Sequence, residues 1–334
     1  MDRVVLPFDL APLLKTYHIL AHPLGILGGV YPDKNSWFPW LCHKYINCSF
    51  TDHPFFLNVY STDYYFSNDN TFELFEITLP GAGWEDIFED TLNISKEKFI
   101  EILKEVLLKG RYIAGIYNEK YIKAKDYFNV KDFAHDYLIY GYDDKLESFI
   151  SAGYTSTGFY ESFHISYDEF YNSIFKSDIK SLSLKMVKCR QHKEFKTNFY
   201  VLQRDLNHYV NSTAFNGVNS TEIAYGLKAW YKLIDYIDCT ETIGLRFVRL
   251  FMEHRRLMYL RLEYLSKQGY IDNLLIEQYI ESTKHAEKCY WFSIKYNLTK
   301  KEQHKDKCIR LIREAINIDK FVLPLVINQL KNCG

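Results

Sequence analysis

Three side chains in this 334-residue chain join a reactive group to a setting that could use it: His135, Ser36 and Cys42. His135 enters the run Ala134-His135-Asp136-Tyr137-Leu138-Ile139-Tyr140-Gly141-Tyr142-Asp143, whose short apolar stretch bounded by turn residues predicts a buried strand. A histidine at the mouth of such a strand is held rigidly, and imidazole is the side chain suited to accept and return a proton near neutral pH. The plain alternative is a strand-end histidine satisfied by its neighbours. Asn35 and Ser36 are N-cap candidates ahead of Trp37 to Ile46, with Pro39 tolerated in the first turn. Trp37, Trp40, Leu41 and Tyr45 share one face of that helix, so Ser36 is expected where backbone N–H groups and the helix dipole favour negative charge. Cys42 lies further along the same helix, a better nucleophile in a poorer location.

Other chemistries find less support. The seven cysteines are odd in number and scattered, with no Cys-x-x-Cys pair, so they read as reduced thiols rather than as disulfides or a zinc site. Gly25-Ile26-Leu27-Gly28-Gly29 lacks the Lys-Ser/Thr end of a phosphate loop. His18 and His22 have the spacing of helical metal ligands, but Pro23 and the glycines after it argue against a helix there. No metal and no cofactor is expected. Lys plus Arg (41) balance Asp plus Glu (42), which gives no electrostatic footprint for nucleic acid or an anionic membrane. With no signal-like N-terminus and no run of about 18 apolar residues, the expected location is the cytoplasm. Aromatic residues make up 17% of the chain, which favours a core with polar edges and aromatic-lined grooves.

The elements that must position these groups follow from pattern. Residues 1–34 are broken by proline and glycine and read as a loop-rich entry. Strands are expected at 55–60 and 72–79 with a turn at 67–70, and a helix capped by Ser95 ends before Gly110. Strands follow at 111–117, after His135, and at 147–152, then a capping box at Ser166-Tyr167-Asp168-Glu169. The stretch 179–198, rich in Lys and Arg, reads as a linker or a peripheral strand pair. From 199 onward Phe199/Leu202/Leu206/Tyr209, Ile223/Leu227/Trp230/Ile234 and Phe247/Leu250/Phe251/Met258/Leu262 keep the helical period, and a last helix over 301–332 should bend or break near Pro324. Arg246, Arg249, Arg255, Arg256 and Arg261 make one helix strongly basic, a solvated face or a docking surface for an acidic helix.

The segments Gly110 to Ile113, Asn118 to Ile122, His135 to Asp143, Phe149 to Tyr154 and Ile165 to Phe170 together resemble the N-terminal domain of the butirosin biosynthesis protein H family, over about half the chain. The resemblance implies an α+β fold in which a papain-like N-terminal domain (1–178) precedes an all-helical C-terminal domain (199–334). It implies a cysteine-protease-like site that transfers an acyl group from a carrier-protein thioester to an amine, in nonribosomal-peptide-like natural-product assembly. Carried onto this chain, His135 takes the place of base and acid, and Ser36 or Cys42 that of the nucleophile. Ser151, the polar residue of the following strand, takes the place of the group that orients the imidazole. Asn118 stands where the family often carries an acid, and Asp143 is too far along its strand to reach His135. The expected partners are an acyl or peptidyl carrier protein and a small amine acceptor. A non-catalytic binding or scaffold protein with a degenerate site, or a peptidase, would use the same fold.

Overall fold

The computed structural model describes residues 2–52, 55–60, 75–78, 94–179, 182–190, 194–214 and 222–331. In chain order the elements are β1 (Arg3–Val5), α1 (His18–Val30), α2 (Lys34–Leu41), β2 (Asn47–Asp52), β3 (Phe55–Tyr60), β4 (Phe75–Thr78) and α3 (Lys96–Leu108). There follow β5 (Tyr112–Asn118), β6 (Ala134–Asp143), β7 (Ser148–Tyr154), β8 (Tyr160–Ser166), α4 (Tyr167–Phe175), β9 (Ser183–Cys189) and α5 (Phe199–Asn211). The chain closes with β10 (Ile223–Tyr225), α6 (Leu227–Cys239), α7 (Leu245–Lys267), α8 (Asn273–Thr299) and α9 (Glu302–Leu330). A mixed α+β N-terminal region is thus followed by a helical bundle. The chain divides into two compact units, one of Met1–Pro32 with Tyr65–Lys193, the other of Asp33–Tyr64 with Glu194–Gly334. The division near 193 falls inside the expected linker, whereas 33–64 groups with the helical region rather than with the first 178 residues. The turn expected at 67–70 lies outside the described residues.

The first unit is built on an antiparallel sheet of seven strands in the order β4-β9-β5-β6-β7-β8, with β1 paired to the end of β6. β5 and β6 form the central pair, with Tyr117 opposite His135 and Asn118 opposite Ala134. Residues 183–189, where the sequence allowed a linker or a peripheral strand pair, are β9, hydrogen-bonded to β4 on one side and β5 on the other. Its charged residues alternate with buried Leu184 and Met186, the pattern of a strand with one covered face. Phe99, Leu103 and Leu107 of α3 and Phe170 of α4 form one core with Ile113, Tyr137, Ile139, Phe149 and Ile165 of the sheet. Burial of each large side chain contributes roughly 1.5–3 kcal/mol before conformational entropy is counted. Ser95 caps α3, and Ser166 with Glu169 forms the expected capping box of α4.

The loop-rich reading of the entry is overturned by α1, which spans His18–Val30 and contains Pro23. Ten of its thirteen residues are buried. Its glycines serve close packing: a Cβ at Gly29 would lie 2.3 Å from the Phe8 backbone nitrogen. Tertiary burial outweighs the low helix propensity of glycine and proline here.

The second unit holds a three-stranded sheet, β10-β2-β3, and the helices α5 to α9. The strongly basic side expected of α7 is divided: Arg255 and Arg261 are wholly buried, Arg249 is partly buried, and Arg246 and Arg256 are exposed. Arg255 pairs with Asp319 of α9 at 3.0 Å, and the Tyr279 hydroxyl donates to the same carboxylate at 2.9 Å. Arg261 donates to the carbonyls of Cys42 and Lys44, closing the C-terminal end of α2. α9 runs through Pro324 without the expected break; Pro324 is exposed, so the carbonyl its missing N–H would have engaged can turn to water.

Both units bury neutral histidines. His22 in α1, and His43 after α2, are each pushed down to about 3, first by burial, and burial holds His254 well below the usual range. The unfolded chain takes up these protons near pH 6.5 and the folded chain does not, so stability is complete above pH 6.5 and falls toward pH 3. Between pH 6.5 and 4.5 each such histidine removes up to about 2.7 kcal/mol. Urea midpoints measured across this range should fall with acid, and His22→Gln, which can still donate to the Ala152 carbonyl, should flatten the slope. An unchanged slope would remove His22 from this account.

Candidate functional site

The site in the first unit begins at the end of β5. Asn118 is wholly buried, and its side chain accepts from Lys120 N and Phe133 N, each at 3.1 Å, and donates to Asp132 and Ser177 at 2.7 and 2.9 Å. Glu119 N also donates to the Phe133 carbonyl at 2.9 Å. The two ends of the 119–133 connection are therefore clamped together, and Glu119 is set beside the first residues of β6.

There His135 Nδ1 meets Glu119 Oε1 at 2.6 Å. A carboxylate at Nδ1 fixes the tautomer with its proton on that nitrogen and leaves the Nε2 lone pair facing outward. The His135 side chain is 32% exposed and that of Glu119 5%, so the orienting group is covered while the imidazole stays accessible. Lys125 Nζ stands 3.8 Å from the same Glu119 oxygen, also buried, donates to the Tyr154 carbonyl and lies 4.8 Å from the centre of the Phe163 ring. Burial draws the Lys125 ammonium down to about 8, and the neighbouring carboxylate limits the fall.

The N-terminal turn of α1 completes the group. The His18 ring packs against His135 at 4.7 Å between centroids and stacks on His22 at 4.8 Å. His18 Nε2 accepts from Tyr154 N at 3.1 Å, while His22 Nε2 donates to the Ala152 carbonyl at 3.2 Å. Gly153 is what admits both neighbours: a Cβ there would lie 3.0 Å from His18 Nε2 and 3.3 Å from Lys125 Nζ. Although the three histidines adjoin, no group of His, Cys, Asp and Glu with the arrangement of a metal site occurs among the described residues.

The residues singled out from sequence are distributed differently from expectation. His135 and Ser151 belong to the first unit, Ser36 and Cys42 to the second. Ser151 is wholly buried, lies opposite Ile139 and donates to the Leu138 carbonyl at 2.8 Å. Ile139 is four residues from His135, about 13 Å along an extended strand, so Ser151 does not orient that imidazole; Glu119 does. Ser36 is not the cap of α2. Asp33 is, accepting from Asn35 N, and Ser36 is the third helical residue, its hydroxyl donating to the Asp33 carbonyl at 2.7 Å. Cys42 follows the last turn of α2, far from the end where the dipole would favour a thiolate. It is wholly buried, and burial pushes its thiol up to about 12 against the pull of Arg261. The first unit's own cysteine, Cys189, is likewise raised by burial to about 12 and lies two residues beyond Val187, whose partner Tyr112 is five residues, about 16 Å, from the position opposite His135. Asp143 shapes a turn, as its distance from His135 implied: it accepts from Lys145 N at 3.1 Å and pairs with Arg3.

Glu119, Lys125 and His18 were missed. The signal for Glu119 was available: once 112–118 and 134–143 are paired as antiparallel neighbours, the residue after the first strand must lie beside the start of the second. For His18 the signal was its four-residue spacing from His22, set aside because Pro23 and the glycines argued against the helix that the structure shows there. No protein-family model matches the chain, and no curated protein does.

Two substitutions separate the roles. Glu119→Ala leaves the buried Lys125 without its carboxylate and should cost about 3–5 kcal/mol in denaturant unfolding. Ser151→Ala removes one neutral hydrogen bond and leaves the Leu138 carbonyl in its ladder, which should cost about 1 kcal/mol. Equal costs would contradict the assignment of the orienting role.

Proposed function

We propose that the chain transfers an acyl group from a thioester to an amine, with His135 as general base and with no acyl group held on the protein. The observation that carries this reading is the 2.6 Å contact between Glu119 and Nδ1 of an accessible His135, a carboxylate-oriented imidazole with Nε2 available. In the step proposed, the amine nitrogen attacks the thioester carbonyl, the C–N bond forms and the C–S bond breaks. His135 Nε2 takes the proton from the amine and returns it to the leaving thiolate. The acceptor itself is the nucleophile, which accords with the buried, protonated state of Cys42 and Cys189. A carrier-bound thioester as donor and a papain-like identity for the first unit rest on the resemblance in the segments around His135; the buried helix whose first residue faces His135 supports the latter. Cytoplasmic placement is part of the same reading, and no described helix is long and apolar enough to cross a membrane.

A second reading is favoured by His18. An imidazole stands at the start of α1, where the papain-like plan would put its thiol, and it is held by Tyr154 N. On that reading the site binds its partner without turning it over. Acyl transfer from a carrier-protein or small-molecule thioester, assayed with a panel of amines, decides between them. His135→Ala should lower turnover roughly 10²–10⁴-fold, while Cys42→Ala should retain it. Turnover indifferent to His135, or abolished with Cys42 in a folded variant, would overturn the proposal.

A further inference from the structure

The carboxylate that orients His135 has a second neighbour. Glu119 Oε1 lies 2.6 Å from His135 Nδ1 and 3.8 Å from Lys125 Nζ, and both Glu119 and Lys125 are about 95% covered. Lys125 is secured independently of Glu119, by the Tyr154 carbonyl and the face of Phe163. A Cβ at Gly153 would crowd it, at 3.3 Å from Nζ. A buried carboxylate without a cation nearby either takes up a proton or draws one onto the nearest base. Here the nearest base is His135, and an imidazolium cannot accept a proton.

We infer that Lys125 is a positioning residue for His135: its ammonium supplies the counter-charge of Glu119, so that the carboxylate can hold Nδ1–H of a neutral imidazole and leave Nε2 free. The inference deepens the general-base reading and rests on it for its use in catalysis, but the arrangement itself is a property of the substrate-free protein. Titratable groups beside Glu119, His135 and Lys125 include His18 and His22 of α1, Tyr117 of β5, Asp126 of the connecting loop and Asp136 of β6. His22 is neutral above about pH 3, and burial raises Asp136. Lys125, drawn down to about 8, is the member whose discharge falls within reach of ordinary titration.

The test is nitrogen NMR of the His135 ring in protein labelled at histidine, without substrate. In the wild-type protein at pH 7.5 the ring should show a protonated Nδ1 and an unprotonated Nε2. Lys125→Met should abolish that pattern, giving either two protonated nitrogens or loss of the Nδ1 hydrogen bond, and Lys125→Arg should restore it. Should Lys125→Met fail to fold, the wild-type titration serves alone. The Nδ1 signal should change as Lys125, its ammonium drawn down by burial, loses its proton, and the guanidinium of Lys125→Arg should remove that change. A His135 spectrum unaltered in Lys125→Met, or a wild-type Nδ1 titration identical to that of Lys125→Arg, overturns the inference. Absence of acyl transfer with every thioester tried would sink the proposed reaction while leaving these spectra and the role of Lys125 as they are.

Discussion

A carboxylate withdrawn from water has to be matched by positive charge or by hydrogen bonds, and Glu119 is matched by both. One oxygen is shared between the His135 imidazole at 2.6 Å and the Lys125 ammonium at 3.8 Å. The Asn118 side chain, which ties residue 120 to residue 133, places the carboxylate. The neighbouring strand places the imidazole through the pairing of Tyr117 with His135. The carbonyl of Tyr154 in β7 places the ammonium. Three separate parts of the sheet are thus committed to one ionic contact, and an error in the register of any of them would leave a buried charge without its partner.

The helix α1 adds the second constraint. It is buried almost throughout and brings His18 against His135 and His22 against the end of β7. The polar ends of both imidazoles are used on the backbone of β7, at Tyr154 N and the Ala152 carbonyl. They fasten the helix to the sheet. The site that results holds an accessible imidazole and its carboxylate partner on the sheet, with a second imidazole from the start of α1 packed against the first. Such a site suits chemistry in which the substrate supplies the attacking atom.

Much of this architecture was legible in the sequence. The apolar run after His135, the Ser166 capping box and the helical periodicities beyond residue 199 are local patterns, and the structure carries them as β6, α4 and the bundle. What was not legible depended on contacts between distant residues. α1 exists because Phe8 and its neighbours pack onto glycines that would otherwise disfavour a helix. At β9 the lysines are spaced between buried residues, so composition left a linker and a peripheral strand pair both open, and only the pairing with β4 and β5 decides between them. Arg255 and Arg261 read as a solvated face because their partners, Asp319 and the carbonyls after α2, are far away in sequence. Within the site, His135 was found from its strand alone. Its orienting partner was sought on the following strand, as in the family it resembles, and lies instead at the end of the preceding one.

The claim on which the account turns is that the acceptor, not the protein, attacks the acyl donor. Rapid quenching of the protein during turnover of a thioester donor, followed by intact-mass measurement, tests it directly. The account predicts the mass of the unmodified chain at every time point while product accumulates. A transient increase equal to the acyl group, mapped to Cys42, Ser36 or any other side chain and lost as product forms, would contradict it.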